Sequence, residues 1–141
     1  MNASELKYKD IKIGDEALFD ASITEDDVKS FIKISGDTNP LHLDEKYASG
    51  TKIGGKIAHG MLVSSLFSTL VGVHLPGKYS LYLSQELQFK NFVKPNAKLA
   101  VWGRVISKMD ALKLITMDTK ISDKNSDKIY VSGKARVQLL R

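Results

Sequence analysis

His59-Gly60-Met61-Leu62-Val63-Ser64-Ser65-Leu66-Phe67-Ser68-Thr69-Leu70-Val71-Gly72 is the stretch on which the fold turns. A helix drawn through it is apolar nearly all round, and a helix of that pattern is normally buried rather than half exposed. The run from Met61 to Val73 is interrupted by Ser64, Ser65, Ser68 and Thr69 and falls short of the roughly 20 apolar residues that a membrane span needs. A core helix running from His59-Gly60 to about Gly72 is therefore expected in the middle of the fold.

Downstream of Pro76-Gly77 the pattern changes. Tyr79 to Lys90, Lys98 to Lys108, Leu112 to Ile121 and Lys128 to Leu139 are alternating or rich in β-branched and aromatic residues, and they are separated by turn-like segments such as Lys94-Pro95-Asn96. Alternation is clearest over Val131, Gly133, Ala135, Val137 and Leu139, which predicts one packed and one wetter face. Four consecutive strands with short connections argue for an antiparallel meander. Upstream, a strand is expected from Glu16 to about Ile23. Thr24 then stands three residues before Asp27 with acidic residues between them, as at the start of a helix whose free N–H groups are capped. Val28, Phe31, Ile32 and Ser35 form its inner face. The sum is an α+β fold, one domain over residues 1–141, with an antiparallel sheet wrapped around a central helix.

A chain of 141 residues with 43% hydrophobic content builds one real core and is too short for two. The absence of cysteine excludes disulfides, a thiolate nucleophile and cysteine-based metal sites. Charged residues lie where a signal peptide would need an apolar run, so a cytoplasmic protein is expected. The net charge of +5 favours anionic partners in general, but the lysines are dispersed and no basic run is interleaved with aromatics. Neither a nucleic-acid face nor a membrane surface follows from this.

The candidate site lies between the first helix and the central one. Ser35-Gly36-Asp37-Thr38-Asn39-Pro40-Leu41-His42 carries a carboxylate, an amide and an imidazole on a segment that Gly36 and Pro40 keep from being one regular helix. Polar side chains on such a loop, held by a rigid scaffold, are where binding and catalysis concentrate. A short helical turn from Asp44 to about Ala48 follows. Ser49 to Lys56 is a glycine-rich segment without phosphate-loop or dinucleotide spacing, expected to be a mobile connector. Taken one at a time, Asp37 and Asn39 are ordinary turn and cap formers, His59 a structural hydrogen-bonding residue, His74 a favourable charge at a helix end and Ser68 a core hydroxyl. Asp37, His42 and His59 match no metal-ligand spacing, so no metal is expected.

Taken together, the segment from Ile34 through Gly60 resembles the hydratase motif of the MaoC-like (R)-specific enoyl-CoA hydratases, through Ser35, Gly36, Asp37, Asn39, Pro40, Leu41, His42 and His59-Gly60-Met61. The similarity continues through Ser65-Leu66-Phe67-Ser68 and Leu75-Pro76-Gly77-Lys78 to Tyr82-Leu83. The resemblance implies the hot-dog fold. It also implies reversible hydration of a trans-2-enoyl thioester, with coenzyme A as carrier and part of the substrate, no further cofactor, and a homodimer.

By the same resemblance Asp37 and His42 are the catalytic pair, holding the water and managing its protons, with Asp37 as the base. An imidazole, with an unperturbed pKa of about 6.5, exchanges protons near neutrality, and a carboxylate base gains from partial burial. Asn39 would orient the water or His42. Gly60 would offer its backbone N–H to the thioester oxygen at a helix start, and Ser68 would support Asp37 from behind. The alternatives are an acyl-carrier-protein dehydratase running the reverse reaction, a non-catalytic acyl-thioester-binding subunit and, on charge alone, a nucleic-acid-binding module.

Overall fold

Six antiparallel strands form one sheet in the order β1 (Glu16–Ser22), β4 (Lys98–Met109), β5 (Leu114–Asp123), β6 (Ile129–Leu139) and β2 (Ser80–Gln85), with the two-residue β3 (Gln88–Phe89) also paired to β6. A computed structural model describes all residues, 1–141. The expected meander is real for β4, β5 and β6. The strand before it is not its neighbour in space: β2 pairs with β6 at the far edge, so the chain crosses from one side of the sheet to the other before β4 begins. That crossing is hydrogen-bonded on the way, Ala58 N–H to Val93 O at 2.8 Å and Asn96 N–H to Ile23 O at 2.7 Å. The single strand expected from Tyr79 to Lys90 is split into β2 and β3, because the Glu86 carbonyl stands where only the missing side chain of Gly133 leaves room.

The alternation read from the sequence decides the packed face. Val131, Ala135, Val137 and Leu139 of β6 are buried, as are Leu99, Val101 and Val105 of β4 and Ile115, Met117 and Ile121 of β5. Against this face lies the central helical stretch, in three joined pieces: α4 (Gly60–Ser64), α5 (Leu66–Thr69) and a π turn (Leu70–His74). The break at Ser65 has a local cause. Ser64 Oγ donates to Gly60 O at 2.8 Å and Ser65 Oγ to Leu62 O at 2.6 Å, a back-bonding that bends helices. Val63, Phe67, Leu70 and Val71 are buried as expected, whereas Met61, Ser65 and Ser68, one above another at helical spacing, face outward. The helix is therefore enclosed on one side only.

The first helix, α1 (Glu25–Ser35), starts on a reciprocal cap: Asp27 N–H donates to Thr24 Oγ1 at 3.1 Å and Thr24 N–H to Asp27 Oδ2 at 2.8 Å. It stops at Gly36, whose φ of 75° is the left-handed conformation that glycine adopts without steric cost. No helix is long and apolar enough to cross a membrane.

Candidate active site

The polar loop is shorter than expected, because Pro40–Leu43 forms a one-turn helix, α2. Asn39 makes it possible. Its Oδ1 accepts the Leu41 N–H at 3.0 Å, with Pro40 at the first helical position, where a missing N–H is no loss. Asn39 O accepts the His42 N–H at 2.9 Å. Asn39 thus reaches the site by setting α2 under His42, and it makes no hydrogen bond to the His42 ring. Asp37 Oδ1 in turn accepts the Asn39 N–H at 3.1 Å, which leaves Oδ2 to face the imidazoles.

His42 Nδ1 lies 2.7 Å from Ile57 O. A carbonyl oxygen only accepts, so Nδ1 carries the hydrogen and Nε2 presents a lone pair when the ring is neutral. That Nε2 stands 4.0 Å from Asp37 Oδ2, with the His42 side chain 11% and that of Asp37 49% exposed. Two acceptors at this separation do not bond each other, but a water donating both its protons fits between them. The burial expected around Asp37 is not supplied by the chain itself.

His59 is more central than a role as an ordinary structural histidine implied. Its ring is buried and stacks on His42 with centroids 3.7 Å apart, and its Nε2 lies 3.1 Å from the main-chain O of Asp37 and 3.8 Å from Oδ2. Asp37, His42 and His59 bring three potential ligand atoms within 4.8 Å of one another, a proximity that spacing along the chain did not reveal. They do not fit a metal as they stand. His59 Nε2 faces a carbonyl, must carry a hydrogen, and so has no lone pair for an ion.

A cavity of about 560 Å³ opens beside this cluster, lined by His42, Gly60, Ile57, Val63, Phe89 and Val93 among others and mostly apolar. Gly60 is the first residue of α4, so its N–H has no intrahelical acceptor. A side chain there would sit 2.7 Å from the Phe89 ring, so the close approach at this position is made by Phe89. Lys90 reaches the cavity, and the Lys128 ammonium stands 5.8 Å from the centre of the Phe92 ring at its edge. Ser68 is not part of the site. It lies with Met61, Ser65, Tyr82 and Gln85 in a separate depression, and its hydroxyl makes no bond to Asp37. The expectation that Ser68 supports Asp37 is corrected here: Ser68 shares the outward face of the bent helix, turned toward β2.

An antiparallel sheet wrapped on a helix, with a carboxylate and an imidazole on the segment before the helix start, defines a hot-dog protein. The chain belongs to the MaoC-like domain family, whose sequence profile matches residues 10–126. It is 35% identical over 134 residues to the (R)-specific enoyl-CoA hydratase of Aeromonas caviae, covering 95% of this chain and 99% of that one. With the (R)-specific enoyl-CoA hydratase of Rhodospirillum rubrum it shares 33% over 132 residues, 94% of this chain and 90% of the relative. An unliganded R-hydratase from Pseudomonas aeruginosa superposes with a TM-score of 0.89 at 34% identity, covering 97% of this chain and 87% of that one. The protein is a hydro-lyase of the hydratase and dehydratase group.

Proposed function

We propose that the protein is an (R)-specific enoyl-CoA hydratase, interconverting trans-2-enoyl-CoA and (R)-3-hydroxyacyl-CoA. The observation that carries this reading is the 4.0 Å gap between His42 Nε2 and Asp37 Oδ2, at the side of an apolar cavity that Gly60, at the helix start, also lines. A water bridging the two is held with its oxygen free to attack. One of its protons passes to Asp37 as the hydroxide adds to C3, and the π electrons move through C2 onto the thioester oxygen. The Gly60 N–H, at the positive end of the helix, stabilises that enolate-like oxygen. The proton then returns to C2, by way of Asp37 or His42, so that every atom of the water ends in the product. No cofactor is invoked beyond the coenzyme A of the substrate itself.

The R outcome is supported by the relatives of known specificity. Lys90 and Lys128 at the cavity suit the phosphates of coenzyme A and the acidic surface of a carrier protein alike, so charge does not decide between a hydratase and a carrier-protein dehydratase. The test is hydration of enoyl-CoA thioesters of increasing length, followed by loss of the conjugated chromophore and by the configuration of the product. Turnover with R product is expected. No turnover with any coenzyme A thioester, or an S product, would overturn the reading, and faster turnover of matched carrier-protein substrates would transfer it to the dehydratase.

A further inference from the structure

We infer that His59 is a positioning residue for the hydration, holding Asp37 by one ring edge and His42 by one ring face; this rests on the reading that Asp37 and His42 hold the water. The ring is 2% exposed, and its two nitrogens are treated very differently by the fold. Nε2 donates to the main-chain O of Asp37 at 3.1 Å. Nδ1 is buried and has no partner within the chain. A buried histidine with one nitrogen unsatisfied by the protein is a poorer filler than a phenylalanine, because the chain does not replace the lost hydration of that nitrogen. As packing alone, then, His59 is a bad choice.

What the ring supplies is contact with both groups assigned to the water. It stacks on His42 with centroids 3.7 Å apart and 29° between the rings, and Phe31 packs against it edge-to-face with centroids 4.9 Å apart. His42 is anchored at Nδ1 by Ile57 O, and an anchored imidazole still tilts about that single bond. The stacked His59 face removes the tilt and fixes where Nε2 points. The Nε2–H bond to Asp37 O meanwhile pins the backbone from which the carboxylate projects. A phenylalanine keeps the face and loses the donor. A glutamine keeps a donor of similar reach and loses the face. Of the three, only the imidazole does both.

The experiment compares His59→Phe and His59→Gln with Asp37→Asn and His42→Gln, in steady-state kinetics and thermal unfolding. Both His59 variants are expected to lose about 10- to 100-fold in kcat, the scale of a small misplacement of reacting groups, with little change in KM. His59→Phe is expected to unfold close to the wild-type midpoint, since it removes the orphaned nitrogen. On a background already carrying Asp37→Asn and His42→Gln, His59→Phe is expected to cost little more. The positioning role is overturned if either His59 variant keeps wild-type kcat while Asp37→Asn and His42→Gln lose it, or if its effect is fully additive on that background. If Asp37→Asn and His42→Gln themselves turn over normally, it is the water reading that fails. Should the His59 variants not fold, nitrogen NMR of the wild-type imidazoles decides: a neutral Nε2–H tautomer with a bare Nδ1 is expected for His59, and an Nδ1–H tautomer or an imidazolium at neutral pH overturns the role.

Discussion

Asp37 Oδ1 is engaged by the Asn39 N–H at 3.1 Å, while Oδ2, 4.0 Å from His42, is bonded to nothing within the chain. One oxygen of the carboxylate is structural and the other is free for chemistry. Asp37→Asn keeps the shape and removes the base, so kcat is expected to fall by about 10² to 10⁴, on the order of 3 to 5 kcal/mol of barrier, with KM little changed. His42→Gln is expected to cost a similar amount, and the double variant barely more than the worse single one, because groups acting on one water are not additive. Steady-state kinetics of the three purified variants checks this. The tautomers also predict that activity survives prolonged chelation, since His59 Nε2 is already committed to the Asp37 carbonyl at 3.1 Å. Loss on chelation with recovery on adding one metal would contradict it. That Asp37 and His42 come together was legible because both stand on one short segment. His59 was not, because its contact with Asp37 spans 22 positions of the chain and is made only when α4 turns back on the loop. Ser68 was misplaced for a different reason: its role was carried over from the resemblance, whereas in the chain it shares the outward face of Met61 and Ser65, turned toward β2.

The glycine-rich segment after α3 (Glu45–Ser49) shows at the level of an element what composition hides. Its glycines predicted a mobile connector, yet Glu45 clips it at both ends, accepting from Ser49 Oγ at 2.8 Å and from the Lys56 N–H at 3.3 Å. Thr51 Oγ1 donates to Ala48 O at 2.7 Å, Lys56 pairs with Glu25 at 3.2 Å, and Ile57 N–H reaches Leu41 O at 3.1 Å. The Ser49 and Thr51 bonds are local, but those of Lys56 to Glu45 and Glu25 and of Ile57 to Leu41 reach partners that sequence proximity alone does not select. The segment delivers Ile57, whose carbonyl holds the His42 ring, so its order bears on the site. The Ser49 hydroxyl, then the Lys56 N–H, hold the Glu45 carboxyl below its ordinary value of 4.5. A depressed carboxyl contributes stability that is fully present above the unfolded value and is lost as pH falls through the folded one. Glu45→Gln is therefore expected to speed amide hydrogen exchange from Gly54 to Ile57 near neutral pH. The difference from wild type should shrink as the pH is taken below 4.5. Equal exchange in both proteins near neutrality would show that the clip does not order the segment. By contrast the cap at Thr24 and the stop at Gly36 were fully legible, because both are set by residues within four positions of one another.

For the whole molecule the unsolved problem is the sheet's two edges and the uncovered side of the helix. Edge β1 carries Glu16 and Asp20, engaged with Arg104 and Lys124, and charge on an edge discourages pairing. Edge β2 reads Ser-Leu-Tyr-Leu-Ser-Gln with no charge at all, and Leu81 and Leu83 are 46% and 50% exposed. Its Tyr82 and Gln85 line a depression together with the outward helix face of Met61, Ser65 and Ser68. Met61, 59% exposed, lines both this depression and the cavity of the site, so whatever covers the one also closes the other. A second copy joined through β2 would pair the uncharged edge, cover the helix and lower the exposure of the site at once. We therefore expect a homodimer, with closed two-fold symmetry. Light scattering across the micromolar range is expected to give twice the chain mass. Leu83→Lys, which puts a charge on the pairing edge, is expected to shift the protein toward monomer and to reduce turnover in proportion to the dimer lost. A wild-type chain that stays monomeric over that range with full activity would remove β2 as the interface, and a Leu83→Lys monomer as active as wild type would show that the site is complete within one chain.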